Sequence, residues 1–471
     1  MSGSLNTLTA LGNPAVSLTP SSVKATLSSN YISTFDFMNQ YLPDTYEQEF
    51  ERYGNRSIAS FLRNVSAEIP SASDLIKWAE QGRLHTKYTD VTVDAGVDGA
   101  SATTFIIGGG SCNFRVGQTV ILSDNTLNVS AKAYVDTVEV GAPGEFTVKY
   151  YAASGQPTGF AASTGITAFV YGSEFRKGDN GMSGSLEPVD DIFEVKPVII
   201  KDKFEVAGSD MAQIGWVEVT TENGATGYLW YVKAEHETRL RFDDYLEMMM
   251  IEHVSTEAGS GVAGSALGAN SGSQGMFEAI ENRGNVWSGG NPSTLGEFDD
   301  IVARLDKQGA IAENVLFVNR EFSFDIDDML AAQNSYGVGG TSYGLFDNDK
   351  DMALNLGFTS FRRGYDFYKS DWKYLNDAAL RGGLVGGAIN GVLIPAGTMS
   401  VYDQVMGKNM KRPFLHVRYR ANEAENRKFK TWVTGSAGGA SNSDLDAMQV
   451  HFLSERALCT LGANNFVLFK D

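Results

Sequence analysis

The chain has 471 residues, of which 42% are hydrophobic and 11% aromatic, enough to bury a core spread over roughly two to four lobes. A formal net charge of −19 excludes a general basic surface for gripping nucleic acid, because neutralising phosphates takes Lys and Arg. No apolar run approaches the ~20 residues a membrane helix needs, the N-terminal residues lack the basic-then-apolar order of a secretion signal, and two cysteines, Cys112 and Cys459, are too few for a disulfide framework.

Residues 1–35 are rich in Ser, Thr, Asn and Ala and read as an extended arm. Phe50, Tyr53, Ile58, Phe61 and Leu62 then recur at helical intervals. Ser73 stands as an N-cap before 74–80, and Gly82 as the stop. Two or three short helices are expected over 36–85. From Thr86 to Tyr171 the pattern turns to period two, as in Gln118–Leu122 and Glu145–Tyr150, with turn clusters between the segments. That predicts an inserted all-β module over 86–170.

Ile192–Ile200 and Lys203–Val206 read as the strands of a long hairpin with a charged tip at Lys201, Asp202 and Lys203. Its Val and Ile residues need something outside the hairpin to lie on. The strongest helix follows, about Leu229 to His253. Phe242, Tyr245, Leu246, Met249, Met250 and Val254 fall on one face, while Glu235, Glu237, Arg239, Arg241, Asp243, Asp244 and Glu247 lie mostly on the other. A Gly- and Ser-rich loop occupies 259–275.

Beyond 294 the texture is α/β. Thr294 and Glu297 fit a capping box, with Leu295, Phe298, Ile301, Val302 and Leu305 as the apolar face and Gly309 as the stop. Val315–Val318 is a buried strand, followed by a helix over Ser323–Gln333 and strands at Leu354–Phe361, Asp366–Tyr374 and Gly391–Ile394. Phe414–Arg420, Phe429–Thr434, Met448–Leu453 and Phe466–Phe469 close the chain as strands.

No catalytic constellation, metal site or cofactor motif emerges. His236-Glu237 begins a zinc-helix match that fails at Leu240. Gly340–Gly344 matches the nucleophile-elbow spacing inside a Gly-rich loop, without the strand and helix the elbow needs. Asp347, Asp349 and Asp351 form a weak acidic cation candidate, but a calcium loop would have Gly where Met352 stands and Glu where Phe358 stands. An enzyme is not expected.

The order of arm, hairpin, long helix, α/β lobe and strand-rich return resembles the major capsid proteins of tailed bacteriophages (Caudoviricetes), of the Hong Kong 97-type fold. Val170–Phe175 with Lys177-Gly178 resembles the lead into that family's extended loop (E-loop). Lys233–Glu237 resembles the head of its spine helix, Gly364–Phe367 with Tyr374–Asp377 and Gly391–Gly397 its axial-domain strands, and Ser454–Leu458 with Asn464–Phe466 its closing segment. The texture is most similar to the crAss-like phages. The resemblance covers about 36–85 and 170–471, and the module at 86–170 departs from the minimal fold.

The resemblance implies an α+β fold. Its parts would be an N-terminal arm with short helices (1–85), the inserted β module (86–170), the E-loop (171–225), a peripheral (P) domain with the spine helix (226–300), an axial (A) domain (301–405) and C-terminal return strands of both domains (406–471). It also implies a structural role: hexamers and pentamers closing an icosahedral shell around packaged double-stranded DNA, assembled in the bacterial cytoplasm into a virion. The implied partners are neighbouring subunits, a portal and decoration proteins, with no membrane and no cofactor. Lys201, Asp202 and Lys203 would be the inter-subunit clamp. Phe242, Leu246, Met249 and Met250 would be the spine-helix packing face, and loops 335–350 and 381–390 would lie toward capsomer centres. Two alternatives stay open. One is an encapsulin-like compartment shell. The other is a glycan-binding fibre or adhesin, with Tyr134, Phe146, Tyr150, Tyr151 and Phe160 of the β module as a stacking face.

Overall fold

The computed structural model describes residues 59, 61–94, 103–108, 110–124, 126–141, 143–160, 165–187, 190–212, 219–220, 226–227, 230–265, 267, 272–333, 359–403, 408–439 and 441–471. The arm expected over 1–35, and the helical positions Phe50, Tyr53 and Ile58, lie outside them. The described residues fall into two compact units. The larger takes those within 55–204, 238–434 and 449–471, and the smaller those within 205–237 and 435–448.

The larger unit opens with one short helix, α1 (Phe61–Val65), which buries Phe61 and Leu62. Two strands follow, β1 (Ala67–Ser71) and β2 (Ile76–Glu80). The helix expected over 74–80 is therefore a strand. Ser73 makes a local turn with Leu75, accepting its N–H at 3.3 Å, instead of capping a helix. Ile76-Lys77-Trp78-Ala79-Glu80 alternates in burial with period two, which a sheet neighbour can use and a five-residue helix cannot.

Six strands, β3 (Lys87–Val93), β4 (Thr104–Ile107), β5 (Gln118–Asp124), β6 (Val129–Glu139), β7 (Gly144–Tyr150) and β8 (Ile166–Ser173), close into a barrel in the order β3-β4-β7-β6-β5-β8. Closure removes the exposed strand edges an inserted sheet would otherwise present. Alternate residues fill the interior, including Val91, Phe105, Val120, Leu122, Val135, Phe146, Val148 and Ile166. The rings of Phe105 and Phe146 stack at 5.3 Å between centroids.

β9 (Asp191–Val195) pairs antiparallel with β2, placing Phe193 opposite Trp78. β10 (Val198–Ala207) follows after Lys196-Pro197. In the smaller unit lie a single turn, α2 (Gly208–Met211), and the short antiparallel pair β11 (Val219–Thr220) and β12 (Thr226–Gly227). The long helix α3 (Trp230–Glu252) begins in that unit and continues into the larger one.

An α/β lobe completes the larger unit. Its elements are α4 (Met276–Arg283), β13 (Asn285–Trp287), α5 (Leu295–Gln308), β14 (Glu313–Val318), α6 (Arg320–Gln333), β15 (Ser360–Arg363), β16 (Tyr365–Asp371), the turn α7 (Lys373–Asn376) and β17 (Ile389–Pro395). Strand β16 ends at Asp371, short of the expected Tyr374, because Trp372 turns the chain into α7. The capping box forms: the Thr294 hydroxyl accepts the Glu297 N–H, and the Glu297 carboxylate accepts the Thr294 N–H at 2.9 Å. Gly309 ends α5 in the left-handed region at φ 69°.

An antiparallel pair, β18 (Thr398–Asp403) and β19 (Lys408–Pro413), leads into the return strands β20 (Leu415–Arg420), β21 (Lys430–Gly435), β22 (Ala447–Thr460) and β23 (Val467–Lys470). The chain end stitches two sheets together. In one, β1 runs parallel to β20 and β20 antiparallel to β22. Pro70 of β1, which has no N–H to donate, sits on an edge strand. In the other, β23 enters a six-stranded sheet of order β13-β23-β17-β14-β16-β15. Its core joins Phe298, Ile301 and Leu305 of α5, Phe322 and Ile326 of α6, and Leu316, Phe367, Leu393 and Phe469 of the strands.

Candidate functional site

The long helix packs through Thr238, Phe242, Leu246, Glu247, Met250 and Ile251, a stripe of i, i+4 steps with a second row beside it. Phe242 meets Phe429 edge-on at 5.4 Å and Phe452 at 5.7 Å. Met249 is half-buried. Tyr245 and Val254, expected on the apolar face, are exposed. The stripe instead winds toward Glu247 and Ile251, since a 3.6-residue repeat cannot keep every i, i+3 and i, i+4 position on one narrow face.

Glu247 is the acid within that stripe. It is 5% exposed and accepts the backbone N–H of Phe61 at 3.0 Å, capping the first turn of α1. Burial pushes its carboxyl up to about 7, opposed by the amides of Phe61 and Leu62 and reinforced by the charge of Asp244. Beside it lies a mixed cavity of about 560 Å³, whose charged walls are Arg63, Glu68, Arg239, Asp243, Lys428 and Arg456. Arg456 donates to the Ser454 hydroxyl at 2.9 Å and to the Lys428 carbonyl at 3.0 Å, which satisfies its guanidinium in place of water.

The hairpin tip expected at Lys201, Asp202 and Lys203 is not a turn. Strand β10 runs straight through it, and β9 pairs with β2 on its own. Val198, Ile200, Asp202, Phe204 and Val206 form the more buried row and Ile199, Lys201, Lys203 and Glu205 the exposed row, with no glycine or proline to break the alternation. Asp202 enters the buried row because Arg241 of α3 stands 3.5 Å away. The break in the segment falls instead at Pro197. The apolar side of β9 lies on this subunit: Val195, with Ile76 and Trp78 of β2, packs on Ala457 and Cys459 of β22. The Arg283 guanidinium covers the Phe193 ring at 4.3 Å.

The loop after α7 has a braced stem and a bare tip. Glu252, at the end of α3, accepts the Tyr374 hydroxyl at 2.6 Å and pairs with Arg381 at 3.2 Å. Burial raises the Tyr374 phenol well above its ordinary value, so the hydroxyl stays a donor. Arg381 also lies over the Phe277 ring. Four residues on, Val385 is 99% exposed and Leu384 beside it 52%.

Of the remaining expectations, Asp347, Asp349 and Asp351, and with them the loop 335–350, lie outside the described residues. Among the described residues no group of three or more His, Cys, Asp or Glu side chains is placed to hold a metal ion. Of the stacking face expected on the β module, Tyr134 and Tyr151 lie on the outside of the barrel, while the other three rings turn inward. Phe146 and Phe160 are 1% and 0% exposed inside the barrel, and Tyr150 packs against the same core. Period two puts residues 146, 148 and 150 on the same inward row.

Sequence reasoning passed over Glu247, taken for a solvent-facing charge, and the pair Leu384-Val385. The signal for Glu247 was its place one turn before Ile251 and next to Leu246. The signal for the pair was two apolar residues flanked by Gly382-Gly383 and Gly386-Gly387, where no regular element can bury them.

No protein-family model and no curated protein matches the chain. Among solved structures it is similar to one from Microbacterium phage Oxtober96, at 10% identity and a TM-score of 0.39, covering 92% of this chain and 97% of that one. It is similar to one from Gordonia phage Cozz at 11% identity and a TM-score of 0.39, covering 95% and 98%. A third is titled the capsid of a native GTA particle computed with C5 symmetry, at 9% identity and a TM-score of 0.39, covering 93% and 97%.

Proposed function

We propose that the chain is the major capsid protein of a tailed bacteriophage, of the crAss-like group and the Hong Kong 97-type fold. Its subunits assemble as hexamers and pentamers into an icosahedral shell around packaged double-stranded DNA, with portal and decoration proteins as further partners. It performs no catalysis.

The observation that carries this reading is the wet apolar surface on elements the resemblance assigns to subunit contacts. Leu384 and Val385 sit on the loop assigned to capsomer centres, while Ile192 (68% exposed) and Ile199 (50% exposed) lie within the segment assigned to the E-loop. Each side chain gains about 1.5–3 kcal/mol on full burial. Modest contacts of that size, repeated by symmetry, close a shell. Lys201 and Lys203, on the exposed row of β10, are the clamp's polar contacts in this reading. The net charge of −19 fits a shell that encloses DNA without gripping it.

The test is direct. Purified full-length protein is concentrated over a range of salt and viewed by negative-stain electron microscopy beside light scattering. Rings or closed particles of uniform size support the proposal. A monodisperse monomer under every condition overturns it.

A further inference from the structure

The outer face of the barrel brings exposed aromatic rings beside a cavity. Lys132 and Tyr134 of β6 point away from the core that Ala133 and Val135 fill. Tyr151, just past β7, is 51% exposed, and Tyr171 of β8 is 47% exposed. Neither ring is loose. The Tyr151 hydroxyl donates to the Glu174 carboxylate at 2.5 Å, and the Lys132 ammonium lies over the Tyr171 ring at 5.9 Å from its centroid. Next to these rings opens a cavity of about 460 Å³, lined among others by Ser130, Lys132, Tyr151, Ser154 and Pro157.

We infer that this cavity is a binding site for acidic saccharides, with Tyr151 as the stacking platform and Lys132 as the carboxylate partner. The volume falls in the range of roughly 300–1,000 Å³ used for small ligands. A pyranose presents an aliphatic face, which a fixed tyrosine ring covers, and a rim of hydroxyls, which Ser130, Ser154 and nearby backbone groups can pair. Anchoring Tyr151 through Glu174 gives up its rotamer entropy before any ligand arrives, which favours binding. Lys132 is the one charged side chain among the lining residues. Although the chain as a whole is at −19, that local cation favours a ligand bringing a carboxylate of its own, as a uronic acid does. The inference does not depend on the shell reading, because it concerns one subunit's barrel.

The experiment uses the full chain, titrated with α-1,4-trigalacturonate and, as the neutral probe, maltotriose, read by calorimetry and saturation-transfer NMR. Trigalacturonate should bind, and maltotriose about tenfold more weakly. Lys132→Met should abolish that preference. Tyr151→Ala should weaken both sugars about tenfold, while Tyr151→Phe, which keeps the ring, should retain most of the binding. Lys132 and Tyr151 are both exposed, so these variants keep the barrel core intact. No binding of either sugar, or undiminished binding by Tyr151→Ala, overturns the inference. So does equal binding of hexaglutamate, since that would make the site a bare charge contact.

Discussion

The carboxylate of Glu247, in the middle of the long helix, accepts the backbone amide of Phe61 at 3.0 Å, joining residues 186 positions apart. The acid is buried, faces Asp243 and Asp244 on its own helix and Arg63, Arg239 and Arg456 around the adjoining cavity, and has its carboxyl pushed up to about 7 from 4.5. The folded subunit therefore binds a proton here between about pH 4.5 and 7 that the unfolded chain releases. Stability from this group is fully present below pH 4.5 and is lost as pH rises to 7. A shift of that size corresponds to on the order of 3 kcal/mol. Hydrogen exchange at residues 61–65 should accelerate from pH 5 to pH 8 beyond the intrinsic base-catalysed rate. Glu247→Gln should flatten that extra slope, and an unchanged slope in the variant would exclude Glu247 as its source.

The helices and strands that carry their own pattern were legible in the sequence. Thr294 and Glu297 announced α5, and its apolar face, Phe298, Ile301 and Leu305, is buried as spaced. Gln118–Leu122 alternated and became β5. What was not legible depended on distant partners. Ile76–Glu80 has a helix-compatible composition, and only β9, more than a hundred residues on, makes it a strand. The Lys201-Asp202-Lys203 triplet has the composition of a turn, and only Arg241 explains an aspartate in the buried row of a strand. The burial of Glu247 likewise needs the open amides of α1, which no local window contains.

The capping box gives a stability prediction with an internal control. Thr294→Ala removes the hydroxyl that accepts the Glu297 amide and should cost about 1 kcal/mol, read as a lower midpoint in urea at unchanged slope. Thr294→Ser should recover most of it, since Ser caps equally well. A loss in Thr294→Ser as large as in Thr294→Ala would mean the methyl, not the hydroxyl, matters.

Strand β10 predicts a proteolysis pattern. A hairpin tip at Lys201-Asp202-Lys203 is an exposed turn that trypsin cuts at once, whereas a residue inside a strand such as β10, which neighbours β22 in its sheet, resists until the subunit opens. Brief trypsin treatment of the native protein should leave the bonds after Lys201 and Lys203 intact while cutting after Lys177, in an exposed segment lacking regular structure. Rapid cleavage at 201 or 203 would restore the hairpin. Asp202→Ala should cost well under 1 kcal/mol, because Arg241 is half-exposed and solvent screens the pair.

The loop beyond α7 separates folding from assembly. Its stem is held by Glu252, Tyr374 and Arg381, whereas Leu384 and Val385 at its tip lie largely in water. Replacing both tip residues by serine removes almost nothing covered at Val385 and only the covered half of Leu384, so the thermal midpoint should fall by no more than about 2 °C. If the loop meets its symmetry mates at a capsomer centre, the same double variant forfeits about 2–4 kcal/mol per subunit of apolar burial there. Multiplied around a ring, that loss should shift assembly to clearly higher protein concentration, measured by light scattering against concentration. Tyr374→Phe is the complementary change. It leaves the Glu252 carboxylate without its hydroxyl donor but still paired with Arg381, so it should lower the midpoint while assembling at the parent's concentration once folded. Normal assembly by the Leu384→Ser, Val385→Ser variant would remove this loop from the subunit contact and leave Ile192 and Ile199 as the surface to test next.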